Sequence, residues 1–348
     1  MSFLSHFNTT QIISSVLCVI AILTYCHNFE FSINQRLLIT PVINTQILPK
    51  ETDQTFTTPD NFTILIYNRV PKCASTTIKT VLRSLQEKRD YKVVDVTFQH
   101  EKHYLRLNES QYLDRDDLKW NNDTKKFLQR TAKSNYDEKL LYIRHTFYIP
   151  DISLSFFGHE NINVYKYINV VKNPVDQYIS WYYYERFGWN DHGFKDGWEH
   201  EVESGTEHLS FDVCLSRGFK TCTQPSKHSE FMGYFCGHDW YCFGEASEMS
   251  LRKAKENIEK RFIMIGLTSE LSNTMKLLER VMPKWFHGVN NEFEDTMVQN
   301  RSKMVTKHLR KPSDETFKYL QANMKYEIEL FEWIDARFQL QKSLYGLR

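Results

Sequence analysis

Three short apolar runs punctuate the chain, Ile64 to Tyr67, Tyr167 to Val171 and Arg261 to Leu267, and each gives way to a helical pattern. Runs this continuous, without strict polar alternation, predict strands buried on both faces of a parallel sheet. After the first, Ile78, Val81, Leu82 and Leu85 recur at i, i+3, i+4 and i+7, which gathers them on one helix face and turns Lys79 and Arg83 away. After the second, Asn173 is placed to cap a helix that Pro174 opens, since proline's fixed φ suits the first helical position. The third leads into a pattern through Leu271, Met275, Leu278 and Met282. A last long helix, starting near Pro312-Ser313, carries Phe317, Leu320, Met324, Ile328, Phe331, Ile334 and Phe338 on one broad stripe. Strand and helix alternate, so the expected class is α/β, a central, mostly parallel sheet flanked by helices.

The N-terminal pattern is different. "IISSVLCVIAILTYC" (12–26) is uncharged and mostly apolar, a little short of the ~20 residues of a full membrane span. It reads as an uncleaved signal anchor because no A-x-A-like cleavage site follows it; a cleaved signal peptide and a buried helix are the alternatives. Residues 1–11 are then a cytoplasmic tail, and 27–60, with Pro41, Pro49 and "ETDQTFTTPD", a stem ahead of a domain from 61 to 348. Sequons at Asn61, Asn108, Asn122 and Asn300 fit a lumenal domain. So do Cys214, Cys222, Cys236 and Cys242: sequence-local pairing, Cys214 with Cys222 and Cys236 with Cys242, would staple two short loops in an oxidising compartment. Their spacings match the usual zinc patterns poorly, and no metal is expected. Lys plus Arg number 44 against 43 Asp plus Glu, so the overall balance does not advertise nucleic acid, while 41% hydrophobic residues exclude a disordered chain.

Candidate chemistry begins at "YNRVPKCASTT" (67–77), the turn between the first strand and its helix. Ligands of such sheets bind outside the carboxyl ends of the strands, and a helix N-terminus offers unpaired N–H groups to an anion. Lys72 adds a charge, and Ser75, Thr76 and Thr77 add hydroxyls; the same hydroxyls also suit ordinary caps. The Walker pattern is not met, for the loop has no glycine and its lysine stands three residues before the first hydroxyl.

This loop resembles the 5′-phosphosulfate loop of sulfotransferases, and its "VPK-x-x-S" form is similar to that of the Golgi uronyl 2-O-sulfotransferases of heparan or of dermatan and chondroitin sulfate. "YINVVKNPVDQYISWYYYERFG" (167–188) resembles the same family's 3′-phosphate segment, typically I-R-D-P-x-x-R-x-x-S followed by aromatics and R-F-G. "YFCGH" (234–238), "GLTSELSNTMKLLERVMPKWF" and "MKYEIELFEWIDARF" extend the likeness over roughly residues 62 to 348. It implies a P-loop-like sulfotransferase fold and 3′-phosphoadenosine 5′-phosphosulfate (PAPS) as donor. By resemblance, Lys72 acts on the bridging oxygen and 5′-phosphate, Arg69, Ala74, Ser75, Thr76 and Thr77 complete the cradle, and Lys172 and Ser180 hold the 3′-phosphate. Lys172 stands for the usual arginine and Asn173 for the usual aspartate, which implies weaker 3′-phosphate binding because lysine lacks the bidentate fork.

Sulfuryl transfer needs a base in line with the leaving group, and histidine suits that task near neutral pH. Of thirteen histidines, His145 in "LYIRHTFYI" is the candidate, with His100 and His103 in reserve. It matches the second member of the heparan enzymes' H-x-H pair, whose first position is Ile143 here. Arg144-His145 instead resembles the dermatan and chondroitin enzyme, which tilts the acceptor that way. Arg144, Arg186 and His192 are candidate glycan contacts, and Lys303 and Lys307, in "NRSKMVTKHLRK", candidate contacts to donor or glycan. Cys73 reads as a small packing residue, not a nucleophile.

The expected protein is a single-pass type II Golgi enzyme, catalytic domain lumenal, that sulfates the 2-hydroxyl of uronic acid in a glycosaminoglycan; the resemblance implies a homotrimer. Two readings from other classes compete. Lys172, Asn173 and Ile143 motivate a glycosaminoglycan-binding protein that has lost turnover. A nucleotide kinase with a degenerate phosphate loop would need magnesium-dependent ATP turnover, for which no metal carboxylate is evident.

Overall fold

A computed structural model describes residues 62, 64–95, 139–149, 165–188, 202–242, 244–300 and 306–347, all within one unit spanning Gln54–Arg348. The expected anchor and stem, the sequons at Asn61, Asn108 and Asn122, and His100, His103, His192 and Lys303 lie outside them, as does the side chain of Asn300. Among the described residues no helix is long and apolar enough to cross a membrane.

Five parallel strands form the sheet: β1 (Ile64–Asn68), β2 (Lys92–Asp95), β3 (Leu140–Arg144), β4 (Tyr165–Val171) and β5 (Phe262–Leu267), in the order β2-β3-β1-β4-β5. Every residue of β1 and β3 is buried, which is why β1 reads as an unbroken apolar run. Helix α1 (Ser75–Gln86) follows β1, and it buries the four positions the periodicity singled out, Ile78, Val81, Leu82 and Leu85. Helix α2 (Pro174–Phe187) follows β4; Asn173 Oδ1 accepts from Val175 N at 3.0 Å and Pro174 opens the first turn, as the sequence predicts. Four short helices come next: α3 (Phe211–Ser216), α4 (Lys220–Thr223), α5 (Pro225–Ser229) and α6 (Gly233–Cys236). Disulfides join Cys214 to Cys222 and Cys236 to Cys242.

Helix α7 (Glu248–Arg261) leads into β5, and α8 (Leu271–Val281), α9 (Pro283–Phe286) and α10 (Val289–Asn300) follow. At Gly266 a Cβ would lie 2.1 Å from Thr274 Cγ2, so only glycine lets β5 and α8 approach this closely. Glu292 of α10 accepts from both Ser84 and Lys88 and so ties α10 to α1.

The C-terminal stripe is not one helix. It divides into α11 (Asp314–Asn323) and α12 (Lys325–Leu344), with Met324 out of helical geometry at φ −121° and ψ 31°. The physical reason is a change of partner. Leu320 and Met324 pack with Val175, Tyr178, Phe211 and the Cys214–Cys222 disulfide on the outer side of α2, whereas Leu330, Ile334 and Phe338 belong to the main core around the sheet. Helix α12 also covers the edge strand: Arg337 Nη2 donates to Phe262 O at 3.1 Å and Gln341 Nε2 to Ile263 O at 2.9 Å. Those carbonyls would otherwise offer an open edge for pairing.

Candidate active site

Strand β1 lies between β3 and β4, so three carboxyl ends converge on one rim. The chain leaves β1 toward β2 at one edge and leaves β4 toward β5 at the other, which opens a crevice between β1 and β4. Two buried asparagines fix the floor. Asn169 Nδ2 donates to Asn68 O (2.6 Å) and Oδ1 (2.9 Å), and Asn68 Nδ2 donates to Tyr234 O at 2.7 Å. Neither stood out in the sequence, although a polar residue inside "YINVV" is a signal in itself, because a buried amide requires partners.

Above that floor the turn 69–74 takes a conformation usually reserved for glycine. Lys72 (φ 61°) and Ala74 (φ 56°) are both left-handed, at a cost of roughly 1–2 kcal/mol per residue for a side chain with a Cβ. Helix α1 starts from Ala74 with no side-chain cap and no acidic residue in its first turn. Its first intrahelical bond runs from Ile78 N to Ala74 O at 3.1 Å. The N–H groups of Ser75, Thr76 and Thr77 precede that bond in the first turn and, with the three hydroxyls of the same residues, make a candidate anion cradle. Arg69 is buried, and its Nε has no partner among the described residues. Its backbone N–H is held by Arg144 O at 2.7 Å.

Lys72 Nζ lies 4.0 Å from the centre of the Tyr184 ring. Burial, and secondarily the Lys172 ammonium, lower its pKa to about 7. Two ammonium groups near one another favour an anion beside them. Cys73 is fully buried, its thiol pushed up to about 12 mainly by burial, and its sulfur accepts from the Lys172 backbone N–H. It is a packing residue that ties the cradle to the end of β4.

His145 stands just beyond β3. Its Nδ1 is 2.8 Å from Arg69 O, and since a carbonyl only accepts, Nδ1 carries the proton and the neutral ring has its lone pair on Nε2. The segment after it is locked down: Phe147 packs edge-on to Tyr234, a Cβ on Gly233 would meet the Phe147 ring at 2.8 Å, and Tyr148 N donates to Gly233 O at 3.2 Å. Ile143 is fully buried in the sheet core.

Ser180 is buried on α2, its Oγ 3.5 Å from Thr306 Oγ1. Next to Thr306, Lys307 N donates to Gly188 O at 2.9 Å and His308 packs edge-on to Phe187. Residues 306–308 are thereby docked against α2 and the residue that follows it. Arg186 is held by bonds within the protein. Its Nε and Nη2 donate to Thr206 O (3.0 Å) and Oγ1 (2.7 Å), Nη1 donates to Tyr182 O (2.9 Å), and the guanidinium stacks 3.5 Å from the Tyr182 ring. A buried guanidinium with these bonds made is a bracket for the 203–206 turn. Arg144 is buried at the end of β3, adjacent to His145.

One residue escaped the sequence reading altogether. Gln177, on the inner face of α2 and 2% exposed, donates from Nε2 to Pro71 O at 3.2 Å, linking α2 directly to the cradle.

The sulfotransferase family matches residues 53–333 of the chain. Uronyl 2-sulfotransferase of Homo sapiens is 29% identical over 290 residues, 82% of this chain and 64% of that protein. Heparan sulfate 2-O-sulfotransferase 1 of Gallus gallus is 27% identical over 282 residues, 80% and 72% of the two chains. Heparin sulfate O-sulfotransferase of Drosophila melanogaster is 27% identical over 286 residues, 80% and 73%. The chain thus spans a little under two thirds of the uronyl 2-sulfotransferases it matches.

Proposed function

Because the chain belongs to the sulfotransferase family, we propose that it transfers sulfate from PAPS to the 2-hydroxyl of a uronic acid residue in a glycosaminoglycan. The relatives named for uronyl and heparan sulfate 2-sulfation support that substrate class. The Arg144-His145 pair, with an apolar Ile143 two residues before the histidine, favours dermatan or chondroitin chains over heparan sulfate. The observation that carries the reading is the meeting of the uncapped cradle 69–77, His145 and Lys172 at the carboxyl ends of three adjacent strands.

Attack by the acceptor oxygen on sulfur makes the new S–O bond as the bond to the 5′-phosphate oxygen breaks, the electron pair staying with the leaving phosphate and the proton passing to a base. Lys72 supplies a positive charge where that phosphate oxygen gains negative charge, aided by the α1 N–H groups. His145, with Nδ1 committed to Arg69 O, presents Nε2 as the base. Lys172 and Ser180 hold the 3′-phosphate, and Lys307 closes the same side. A chain proposed to work in the Golgi lumen behind an anchor at 12–26 suits two disulfides and lumenal sequons; protease protection of microsomes tests the topology, and sedimentation tests the proposed homotrimer.

The decisive experiment incubates the full chain with radiolabelled PAPS and desulfated dermatan or heparan chains, followed by disaccharide analysis. His145→Asn keeps a donor for Arg69 O but lacks a base, and is expected to cut turnover by about 10²–10⁴-fold with donor affinity nearly unchanged. Binding of both substrates without label transfer would instead favour a glycosaminoglycan-binding protein, a reading motivated by the replacements at Lys172, Asn173 and Ile143.

A further inference from the structure

Helix α2 touches both phosphate-facing regions, and Gln177 is where it grips the first. Its Nε2 donates to the carbonyl of Pro71, the residue before left-handed Lys72, while its Oε1 is buried with no partner among the described residues. A buried amide that leaves its oxygen unsatisfied is costly, and a leucine of similar size would fill this position without that cost. What the amide adds is a directed bond to the cradle. The segment pattern R-D-P-x-x-R-x-x-S has arginine at this place. Here the aspartate and that arginine are both neutral amides, Asn173 and Gln177.

We propose that Gln177 is a positioning residue that sets the spacing between the cradle and the Lys172–Ser180 side, so that a ligand bearing both a 5′- and a 3′-phosphate binds cooperatively. The inference rests on the donor site proposed above. A ligand spanning two subsites gains from their fixed separation, whereas a ligand filling one does not. Releasing the latch therefore penalises the spanning ligand selectively. The cradle would stay attached through the Lys172 N–H to Cys73 sulfur bond and the Lys72 contact with Tyr184, so loss of Gln177 need not unfold it.

The test is calorimetric titration of the full chain, wild type, Gln177→Ala and Gln177→Met, with adenosine 3′,5′-bisphosphate, adenosine 5′-monophosphate and adenosine 3′-monophosphate. The bisphosphate affinity is expected to fall about tenfold in both variants and each monophosphate by less than about threefold. Melting temperatures of the unliganded variants should stay near that of wild type. An equal fall for all three ligands, or no fall, overturns the proposal by making Gln177 a general packing residue or an inert one. Failure of the wild type to bind any of the three removes the donor site itself, which is a different result and is read before either variant.

Discussion

Two helices of similar length begin in opposite ways. Helix α7 opens with a complete capping box: Ser247 Oγ accepts from Ser250 N at 3.2 Å, Ser250 Oγ accepts from Ser247 N at 2.8 Å, and Glu248 adds negative charge to the first turn. Helix α1 opens from a left-handed alanine with no cap and no acid, under a lysine whose charge is suppressed by burial. Both helices pack on the same sheet, so packing alone does not demand the difference. The α7 end satisfies itself and contributes to stability. The α1 end has no side-chain cap among the described residues and follows two left-handed residues, a strained helix start of the kind that suits an anion.

The largest effect that would break this contrast comes from Lys72. Lys72→Ala is expected to lower label transfer by about 10²–10³-fold, the scale of losing one charged group aimed at a transition state. Ser247→Ala should leave transfer unchanged. If Lys72→Ala keeps most of the activity, the cradle is an ordinary strained turn and the contrast has no functional content.

How far could the sequence see this? The unit β1, cradle and α1 was legible because a continuous apolar run and a 3.6-residue period are both local signals, and Asn173-Pro174 announced α2 for the same reason. What was not legible depends on tertiary partners. Strands β2 and β3 were not singled out, and nothing local puts β3 beside β1, yet that pairing is what brings His145 to Arg69. The clamp on Arg186 was hidden because Thr206 lies twenty residues away in sequence. Gln177 was hidden as one polar residue in an aromatic helix, and the break at Met324 fell inside an unbroken apolar stripe whose two halves serve different clusters.

A second, smaller effect sharpens the contrast through pH. Lys72 falls from 10.5 to about 7, burial acting first and Lys172 second. Between those values the unfolded chain holds more protons than the folded one. The unliganded protein therefore gains stability as pH rises from about 7 toward about 10.5, and the penalty of charging Lys72 is fully present below about 7. Phosphate favours the charged amine. Bisphosphate affinity should accordingly weaken above about pH 7, by up to about tenfold per pH unit, with proton uptake visible as a buffer-dependent binding heat. Lys72→Met should flatten the profile and abolish the uptake. A profile in the native chain that is already flat would mean that Lys72 does not meet the ligand.

The smallest effects compare the two helix starts directly by stability. Ser247→Ala removes a satisfied cap and should cost about 1 kcal/mol, lowering the melting temperature by roughly 2 °C for a domain of this size. Ala74→Gly should do the reverse. It relieves a left-handed alanine, and after the entropy of the added glycine the net gain is of the order of 0.5 kcal/mol. The pair isolates strain from function, because a glycine keeps the backbone N–H groups of the cradle and removes only the Cβ. If thermal melts show Ala74→Gly stabilising while Ser247→Ala destabilises, the α1 turn is held against its own preference and the α7 turn is not. If Ala74→Gly destabilises as well, the left-handed turn carries no strain, and the reason for leaving α1 uncapped must be sought in packing beneath it.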